Sequence, residues 1–595
     1  MKADGTLTLV RSHRDLESMF SWLGERRPWL AIDIETTGLN VGRDKVRLFQ
    51  IGDARCAYAL DWGEWKGACL EAVASYSQPI VLQNALFDLK FLKRDGMTIP
   101  QHLVHDTMIM AHLADPVRTT ALKPTARRLL GPEWGAGEDV LKSAMSAAGW
   151  DWATVPTDFP AYWQYACLDT VLTATLAEKL WPSAQRYREA YEVEMAFIHV
   201  LRDAEIAGVA IDPDYCRSAL GQLQLKMATL LPQIHAAAGR EVNPLSDIQV
   251  IALLQEQGAT LTKRTERGQL STDKHVLLAL RDEFPVAGLI AEYKETSFLV
   301  TSHFSKMLEL AAPDGTGHLA VHPSTRPVGA RTGRTSVTDP PLQTIPRGRV
   351  VRDGDIAREG HRLVLVDYDG MEMRFMAGDA PCPAMLEAYG RGEDVHKWVA
   401  SEVFGVPQDA VDREMRGLAK NAGFAKIYGA GVETFADTAG VPPARAQAFL
   451  DRYDELFPEV VQWQQRLMNT AMQGRVGREW PYVETILGRK LPVEPDKLYK
   501  VTNFRDQGSC AEIAKMAANR LANAGLGDYF RVFVHDELML EVPEEDADDI
   551  LHDASELMKD DNVFADLTFT ASGEHVQRWG DKYSDEVNPL RRVAT

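Results

Sequence analysis

The stretch RLVLVDYDGMEMRFMAG, residues 362–378, decides the fold of the C-terminal part of this chain. Its apolar run, 363–366, predicts a strand buried on both faces, and the pattern after Asp367 predicts a helix. A carboxylate at the end of a buried strand is costly unless a positive group meets it. Asp367 is therefore either a turn or N-cap residue, or a metal ligand or catalytic group.

A second acidic residue lies inside RVFVHDELMLEV, residues 531–542. The alternation on both sides of its His-Asp-Glu tip predicts a β-hairpin with Asp536 at the turn. Two strand-borne carboxylates such as Asp536 and Asp367 can share divalent cations, which favours two-metal phosphoryl transfer.

A helical pattern between these two acids, DREMRGLAKNAGFAKIYG, carries a residue of interest every fourth position. Such a set forms one stripe about 18 Å long on a helix. Two cations followed by two aromatic rings match a triphosphate, a sugar and a base, although solvated cations and core rings would give the same pattern. The stripe consists of Arg416, Lys420, Phe424 and Tyr428.

The N-terminal part contains another apolar strand that ends in acid, WLAIDIETT, residues 29–37. Residues two apart in a strand face the same side, so Asp33 and Glu35 are predicted to point the same way. Adjacent like charges repel, and a divalent cation can hold both ionised. Chance alternation at a strand end is the alternative.

Two later segments add further acids. PIVLQNALFDLKFL predicts a short strand and a helix bearing Asp88, and YWQYACLDTVLTATLAEKL predicts a long helix. Tyr165 and Asp169 lie four apart on that helix and share a face. Each residue alone is more often a surface or capping residue, so the evidence lies in the complete set.

The rest of the chain is mostly helical or turn-rich. A proline in 181–190 marks a boundary, and 191–312 predicts helices, two of which close on Gly208 and Gly239. The acidic run 543–561 predicts a solvated amphipathic helix. Segment 322–348 is either a linker or a nucleic-acid contact, since it is nearly free of acid and contains Arg326, Arg331, Arg334 and Arg347.

Composition sets limits on location and partners. The chain has 595 residues, enough for several domains, and a net charge of −20, which does not favour non-specific nucleic-acid binding. An acidic chain can still contain a basic groove. Six cysteines without C-x-x-C spacing argue against a disulfide framework or a structural zinc site. With no signal peptide or membrane-length apolar run, we expect a cytoplasmic protein without membrane contact.

The N-terminal acids resemble those of the 3′→5′ exonucleases that use four acidic residues and a tyrosine. The motifs appear as DIETTG, NALFD and YACLD, in matching order and spacing. The resemblance implies that carboxylates hold two divalent cations for phosphodiester cleavage and that a tyrosine orients the attacking water. The implied residues are Asp33, Glu35, Asp88, Asp169 and Tyr165.

Over essentially its whole length, the chain resembles the large fragment of family A DNA polymerases, the bacterial DNA polymerase I type. Motif A appears as DYDGMEMR, motif B as RGLAKNAGFAKIYG and motif C as VHDE, supported by TGRTSVTDPPLQTIP, EDVH, NFRDQG and GRKLP. The implied fold is multidomain α/β and α+β: a ribonuclease H-like 3′→5′ exonuclease domain followed by a right-hand polymerase domain. The expected boundaries are 1–188 for the exonuclease domain, 189–320 for the mostly helical thumb, 321–378 for the first part of the palm, 379–495 for the fingers and 496–595 for the second part of the palm.

The resemblance also implies a role for each polymerase residue. Asp367, Asp536 and the Tyr368 carbonyl would hold two Mg²⁺ ions, with Mn²⁺ as an alternative. Lys420 would in addition protonate pyrophosphate. The residues implied in triphosphate binding are Arg416, Lys420 and His396.

Further residues are implied in contacts with the sugar, base and duplex. Phe424 would stack near the sugar and base, and Phe rather than Tyr there implies discrimination against dideoxynucleotides. Glu372, assisted by Tyr428, would exclude a ribose 2′-OH. In the minor groove A·T and G·C share acceptors, so base-pair geometry can be checked without reading sequence. The residues implied there are Arg334, Asn503, Gln507 and His535.

The chain departs from the family pattern at two places. Asp369-Gly370 stands where the family usually has Ser-Gln, and Tyr499, followed by Lys500, stands where the family often has Arg. No 5′-nuclease domain precedes residue 1, so we expect no nick translation. The compact organisation indicates a phage replicative polymerase, in the host cytoplasm, although a bacterial or organellar origin is open.

The predicted enzyme acts on primer–template DNA and dNTPs as a monomer, with accessory replication proteins possible. One alternative is an exonuclease whose polymerase module only binds DNA. Retention of Asp367, Asp536, Lys420 and Arg416 argues against it. The other is a single-subunit RNA polymerase, against which Glu372 and the exonuclease motifs argue.

Overall fold

The computed structural model describes residues 6–134, 138–265, 267–474, 480–534 and 536–591. Its contacts divide the chain into two compact units. The first comprises 1–206, 325–336 and 364–575, and the second comprises 207–324, 337–363 and 576–595. Within the described ranges, every helix is too short or too polar to span a lipid bilayer.

The N-terminal part of the first unit is built on a mixed sheet in the order β1-β4-β3-β2-β5-β6. β2 pairs antiparallel with β3 and parallel with β5, so it lies inside the sheet. This position explains why its apolar residues are buried, as the sequence predicted. The strands are β1 Leu7–Leu9, β2 Leu30–Thr36, β3 Val46–Gly52, β4 Ala57–Asp61, β5 Ile80–Leu82 and β6 Val104–Asp106.

Helices surround this sheet, and the long helix α7 contacts β2, β3 and β4. The break predicted within 181–190 occurs at Tyr187, whereas Pro182 itself lies inside α7. The helices are α1 His13–Leu23, α2 Trp62–Ala74, α3 Ala85–Arg94, α4 Thr107–Ala114, α5 Leu122–Leu130, α6 Glu138–Ala148, α7 Pro160–Arg186 and α8 Arg188–Ala207.

The second unit is mostly helical, as predicted for this part of the chain. α9 ends at Gly239, whose φ of +68° suits glycine, and Ser246 and Asp273 cap α10 and α11. A small antiparallel sheet, β7-β9-β8, completes the unit. Its elements are β7 Val209–Ile211, α9 Pro213–Ala238, α10 Asp247–Glu256, α11 Lys274–Leu280, α12 Pro285–Phe298, α13 Ser305–Leu310, β8 Ala312–Pro313, β9 Leu319–Val321 and α14 Arg349–Arg352.

The C-terminal part of the first unit contains a second sheet, in the order β15-β16-β12-β19. The predicted hairpin is confirmed, because β15 and β16 pair antiparallel. The hairpin lies in the core, where Phe533 packs on Phe197 of α8 at 5.1 Å between ring centroids. The strands of this sheet are β12 His361–Tyr368, β15 Phe530–Val534, β16 Glu537–Pro543 and β19 Ala571–Val576. The other strands pair two by two: β10 Ser324–Arg326 with β11 Ser336–Thr338, β13 Tyr482–Glu484 with β14 Lys490–Pro492, and β17 Asp560–Phe564 with β18 Leu567–Phe569.

The helices between residues 371 and 473 form a separate apolar core beside this sheet, whereas those at 500–521 and 547–558 pack into the core that contains the sheet. Asp379, at the end of α15, connects three helices, since it accepts hydrogen bonds from Trp463 of α21 and from the Arg505 guanidinium of α22. These helices are α15 Met371–Asp379, α16 Pro383–Gly390, α17 Val395–Phe404, α18 Arg413–Tyr428, α19 Val432–Ala439, α20 Pro443–Leu456, α21 Pro458–Gln473, α22 Lys500–Leu521 and α23 Ala547–Met558.

Candidate active sites

The first acidic site begins at the end of β2. Asp33 and Glu35 lie two apart on this strand, opposite Gln50 and Leu48 of β3. Because residues two apart share a face of the sheet, the two carboxylates lie on one side, as predicted.

Two helices, α3 and α7, bring the other acids to the same site. Asp88 on α3 is 1% exposed, and its Oδ1 accepts a hydrogen bond of 3.2 Å from the Ile34 backbone N–H. Asp169, on α7, is 7% exposed. Tyr165 lies one helical turn before Asp169, and its ring centroid is 6.4 Å from that of Trp152. The structure thus joins residues that are distant in sequence.

Lys123 also belongs to this site, and the sequence reasoning missed it. It lies in the first turn of α5, is 9% exposed and forms an ion pair with Asp169. Its Nζ lies 4.5 Å from the centroid of the Tyr165 ring. The only available signal was a lysine within the apolar-flanked stretch ALKPTARRLL, which does not distinguish a buried lysine from a surface one.

The electrostatics of this site disfavour several carboxylates being ionised together. Burial raises the pKa of Asp33 to about 6, although Lys123 opposes the shift. Burial and the neighbouring Asp33 raise the pKa of Glu35 to about 8. Burial, followed by the charge of Asp33, raises the pKa of Asp88. Burial lowers the pKa of Lys123 to about 8. Added positive charge would therefore stabilise the ionised carboxylates.

The second acidic site lies on the C-terminal sheet. Asp367 is at the end of β12, and Asp536 is between β15 and β16, whose sheet places β16 beside β12. Burial raises the pKa of Asp536 to about 6, with Glu372 adding to the shift. The Tyr368 carbonyl accepts a hydrogen bond of 2.9 Å from Gly370 N, which leaves it one further lone pair. His535 lies outside the described residues.

A polar network surrounds Glu372 on α15. Arg334 forms an ion pair with this carboxylate, and Tyr428 donates to its Oε2 at 3.2 Å. Gln507 in turn donates to the Tyr428 hydroxyl at 3.1 Å. Residues implied separately in sugar selection and in duplex contact are thus connected. Asp506 beside them was missed by the sequence reasoning; burial, followed by the charge of Glu372, raises its pKa.

The stripe predicted on α18 is present. Lys420 Nζ lies 5.9 Å from the Phe424 ring centroid, and the Phe424 and Tyr428 centroids are 6.1 Å apart. The opposite face is buried, including Leu418 and Ala422. Tyr428 is 38% exposed, whereas Phe424 is half-buried and packs against the apolar core, so the core alternative holds in part for Phe424.

The cationic end of the stripe borders a cleft of about 400 Å³. Arg416 Nε lies 2.7 Å from Asp394, so an incoming anion would compete with this carboxylate. Burial, and then the charge of Arg416, lowers the pKa of His396 to about 4, which makes the ring neutral near pH 7. The cleft is lined by Asp369, Gly370, Arg374, Tyr389, Glu393, Asp394, Val395, His396, Arg416 and Lys420.

Asp369 has a structural role that explains its departure from the family pattern. It accepts hydrogen bonds from the hydroxyls of Thr570, at 2.7 Å, and Ser572, at 2.5 Å. Gly370 follows with a φ of +67°, where a side chain would be strained. The pair therefore closes the turn between β12 and α15 and fixes it to the start of β19.

The turn-rich segment 325–336 is fixed in the first unit rather than being a free linker. Lys515 Nζ donates to the carbonyls of Pro327, at 2.8 Å, and Gly333, at 2.7 Å, and bonds both oxygens of Glu194 at 2.8 Å. His112 of α4 lies 3.0 Å from the Ala330 carbonyl. These contacts hold in place the segment that carries Arg334, the residue that pairs with Glu372.

The predicted arginines of this region have different environments. Arg326 and Arg347 are exposed, whereas Arg331 pairs with Glu494 at 3.0 Å. On α22, Asn503 and Gln507 lie one turn apart, and within the described residues no group accepts from Asn503 Nδ2. Tyr499, one turn before Asn503, is 47% exposed.

The donor sets suit hard divalent cations, although no ready-made cage is present. Among the described residues, no three His, Cys, Asp or Glu side chains converge closely enough to hold a metal ion. Both sites nevertheless offer carboxylate oxygens, which Mg²⁺ prefers, and burial makes their uncompensated charge costly. The residues present therefore fit Mg²⁺ or Mn²⁺.

Two protein-family models match this chain. The model for DNA polymerase family A matches residues 213–581, and a 3′–5′ exonuclease model matches residues 8–185. The DNA polymerase of Mycobacterium phage D29 is 28% identical over 575 residues, covering 91% of each chain. The thermostable DNA polymerase I of Thermus aquaticus is 31% identical over 487 residues, or 78% of this chain and 54% of that protein. The chain thus spans about half the length of the Thermus relative.

A solved structure shows the same fold. It is the POL domain of Pol1 from M. smegmatis in complex with DNA primer-template and dNTP, with 22% identity and a TM-score of 0.79. The match covers 97% of this chain and 99% of that one. This chain belongs to DNA polymerase family A and carries a 3′–5′ exonuclease domain ahead of its polymerase domain. The predicted fold class is confirmed at that level.

Proposed function

We propose that this protein synthesises DNA on a primer–template from dNTPs and removes mismatched 3′ ends at a separate exonuclease site. The observation that carries the proposal is that β12, which bears Asp367, and β16, which follows Asp536, are neighbouring strands, with the charge of Glu372 acting on Asp536. The family membership and the phage relatives support replication of phage DNA, in the host cytoplasm.

In the polymerase site, Asp367, Asp536 and the Tyr368 carbonyl would hold two Mg²⁺ ions. Bound there, these ions supply Lewis-acid stabilisation of the attacking and leaving oxygens. Arg416, Lys420 and His396 would bind the triphosphate in the cleft. The ammonium of Lys420 is the proton donor we assign to the pyrophosphate leaving group.

Selection of the nucleotide would occur next to these groups. Glu372 cannot move freely, because Arg334 and Tyr428 hold its carboxylate, so it can exclude a ribose 2′-OH. Phe424 would stack near the sugar and base. Asn503 Nδ2 is a donor available to minor-groove acceptors, and Arg334 and Gln507 would contact the same groove.

In the exonuclease site, Asp33, Glu35, Asp88 and Asp169 would hold the metal ions, and Tyr165 would orient the attacking water. Burial raises the pKa of Tyr165, so the phenol stays protonated and can donate a hydrogen bond. Monomeric action, accessory partners and the five domain boundaries given above remain predictions.

The test is incubation with a primer whose 3′ end is mismatched, with and without dNTPs. With Mg²⁺ alone we expect shortening from the 3′ end, and with dNTPs we expect removal of the mismatch followed by extension. Extension that retains the mismatch, or an absence of extension on a matched primer, would contradict the proposal.

A further inference from the structure

Lys123 is an unusual group to find among acidic residues. A lysine is seldom buried unless it is paired, and this one is 9% exposed. Its ammonium contacts the Asp169 carboxylate and lies 4.5 Å from the Tyr165 ring centroid. It therefore touches both α7 residues of the proposed exonuclease site.

An ion pair that served only to connect α5 with α7 would not explain the position of Lys123. A link needs one carboxylate, whereas the charge of Lys123 also acts on Asp33 and Glu35 of β2. The ammonium thus lies between acids supplied by a strand and a helix. In this place positive charge compensates several carboxylates at once.

The same position brings Lys123 into conflict with metal binding. A carboxylate oxygen that accepts from an ammonium cannot at the same time direct that lone pair at a cation. Since Asp169 is one of the proposed ligands, its ion pair must break or shift before the site is loaded. The long, flexible lysine side chain allows such a movement.

We propose that Lys123 is the resident counter-cation of the metal-free exonuclease site and competes with the incoming divalent cation for Asp169. It is a positioning residue that holds Asp169 and Tyr165 in place until the cation arrives. This inference rests on the exonuclease activity proposed above.

The test is calorimetric titration with Mn²⁺ of full-length protein carrying Asp367→Asn and Asp536→Asn, which removes the polymerase ligands. Adding Lys123→Met should tighten Mn²⁺ binding by about tenfold, because the competing charge is gone. Lys274→Met is the matched control: Lys274 is on α11 and pairs with Glu295 in an exposed place, so its loss should leave Mn²⁺ affinity unchanged.

Direct competition also predicts non-additivity. In an Asp169→Asn background, Lys123→Met should produce less tightening, because the ion pair that occupies Asp169 is already gone. If Lys123→Met does not fold, Lys123→Gln keeps a polar side chain without the charge, and it should show the same tightening. Unchanged or weaker Mn²⁺ binding in the folded Lys123 variant, or equal tightening in the Asp169→Asn background, would overturn the inference.

One further variant separates the two proposals. If the parent protein shows no Mn²⁺ binding that Asp33→Ala abolishes, the exonuclease site itself is not a metal site, and the proposed function fails. If that binding is present but does not respond to Lys123→Met, only the role of Lys123 is wrong.

Discussion

The exonuclease and polymerase sites both begin with a carboxylate at the end of a buried strand, but they balance that charge differently. In the proposed exonuclease site, the ammonium of Lys123 pairs with Asp169 of α7, and its charge acts on Asp33 and Glu35 of β2. In the proposed polymerase site, Asp367 and Asp536 lie at the ends of the neighbouring inner strands β12 and β16, while Arg416 and Lys420 belong to the separate helix α18.

This difference follows from what each site must bind. In the proposed exonuclease site, the cation that compensates the acids is the buried Lys123, so an incoming metal ion must displace it. In the second, Arg416 and Lys420 border an open cleft, where a triphosphate would compete with Asp394 for Arg416. We therefore expect metal binding at the first site to depend on Lys123 and triphosphate binding at the second to depend on Arg416 and Lys420.

Among the variants that test this comparison, Lys420→Ala should have the largest effect. Loss of a phosphate contact and a proton donor should slow single-nucleotide incorporation by about 10²–10⁴-fold. Removal of a 3′ nucleotide without dNTPs should keep its rate, because the exonuclease acids are elsewhere. Equal loss of both activities, measured by quenched-flow assay on one primer–template, would show that the sites are not separate.

Glu372→Ala should have the next largest effect. With the held carboxylate gone, discrimination against ribonucleotides should fall by about a hundredfold, measured as the ratio of kcat/KM for dNTP and rNTP. Gln507→Ala is a milder control, since Arg334 would still hold Glu372. Discrimination that survives Glu372→Ala would exclude this residue as the sugar filter.

The pH dependence of the two reactions should differ by a smaller factor. Glu35, with a pKa of about 8, and Asp33, with a pKa of about 6, are protonated on acidification and must lose protons when metal binds. At subsaturating Mn²⁺, the exonuclease rate should therefore rise by up to about tenfold per pH unit between pH 6 and 8. Incorporation should level off earlier, because Asp536 has a pKa of about 6.

The effect of pH on folding stability has the opposite sign to its effect on the exonuclease rate. In the metal-free fold Glu35 binds a proton more tightly than it does when unfolded, so the stability of this part of the protein should fall as pH rises toward 8. Added Mn²⁺ should reverse that loss. Identical pH profiles for both activities, with no effect of pH on metal-free melting, would contradict the comparison.

The smallest effect is expected from Asp369→Ser. Loss of the bonds to Thr570 and Ser572 should lower the melting temperature by about 2–4 °C, with activities changed only a few-fold. The matched control is Thr570→Val with Ser572→Ala, whose effect should overlap that of Asp369→Ser rather than add to it. Additive losses would mean that Asp369 stabilises the turn through other contacts.

The sequence was informative where the signal was local. The strand before Asp367, the hairpin around Asp536 and the stripe from Arg416 to Tyr428 each follow from periodicity within a short segment. Hydrophobic patterning specifies these elements independently of their partners, which is why the structure reproduces them. The joint occurrence of their motifs then identified the family.

Contacts between distant segments could not be predicted in this way. Nothing in ALKPTARRLL indicates that Lys123 would meet acids from β2 and α7, and nothing near Arg334 indicates its pairing with Glu372. The even burial of the β15–β16 hairpin likewise depends on α8 packing, which supplies Phe197. Tertiary packing decides such features, so they appear only in the folded chain.

The most direct test of two independent carboxylate sites is a paired assay of Asp536→Asn and Asp33→Ala on one mismatched primer–template. We expect Asp536→Asn to abolish extension while leaving 3′ degradation intact, and Asp33→Ala to do the reverse. If both activities survived either change, or if either change removed both in a folded protein, the assignment of two separate sites would be wrong.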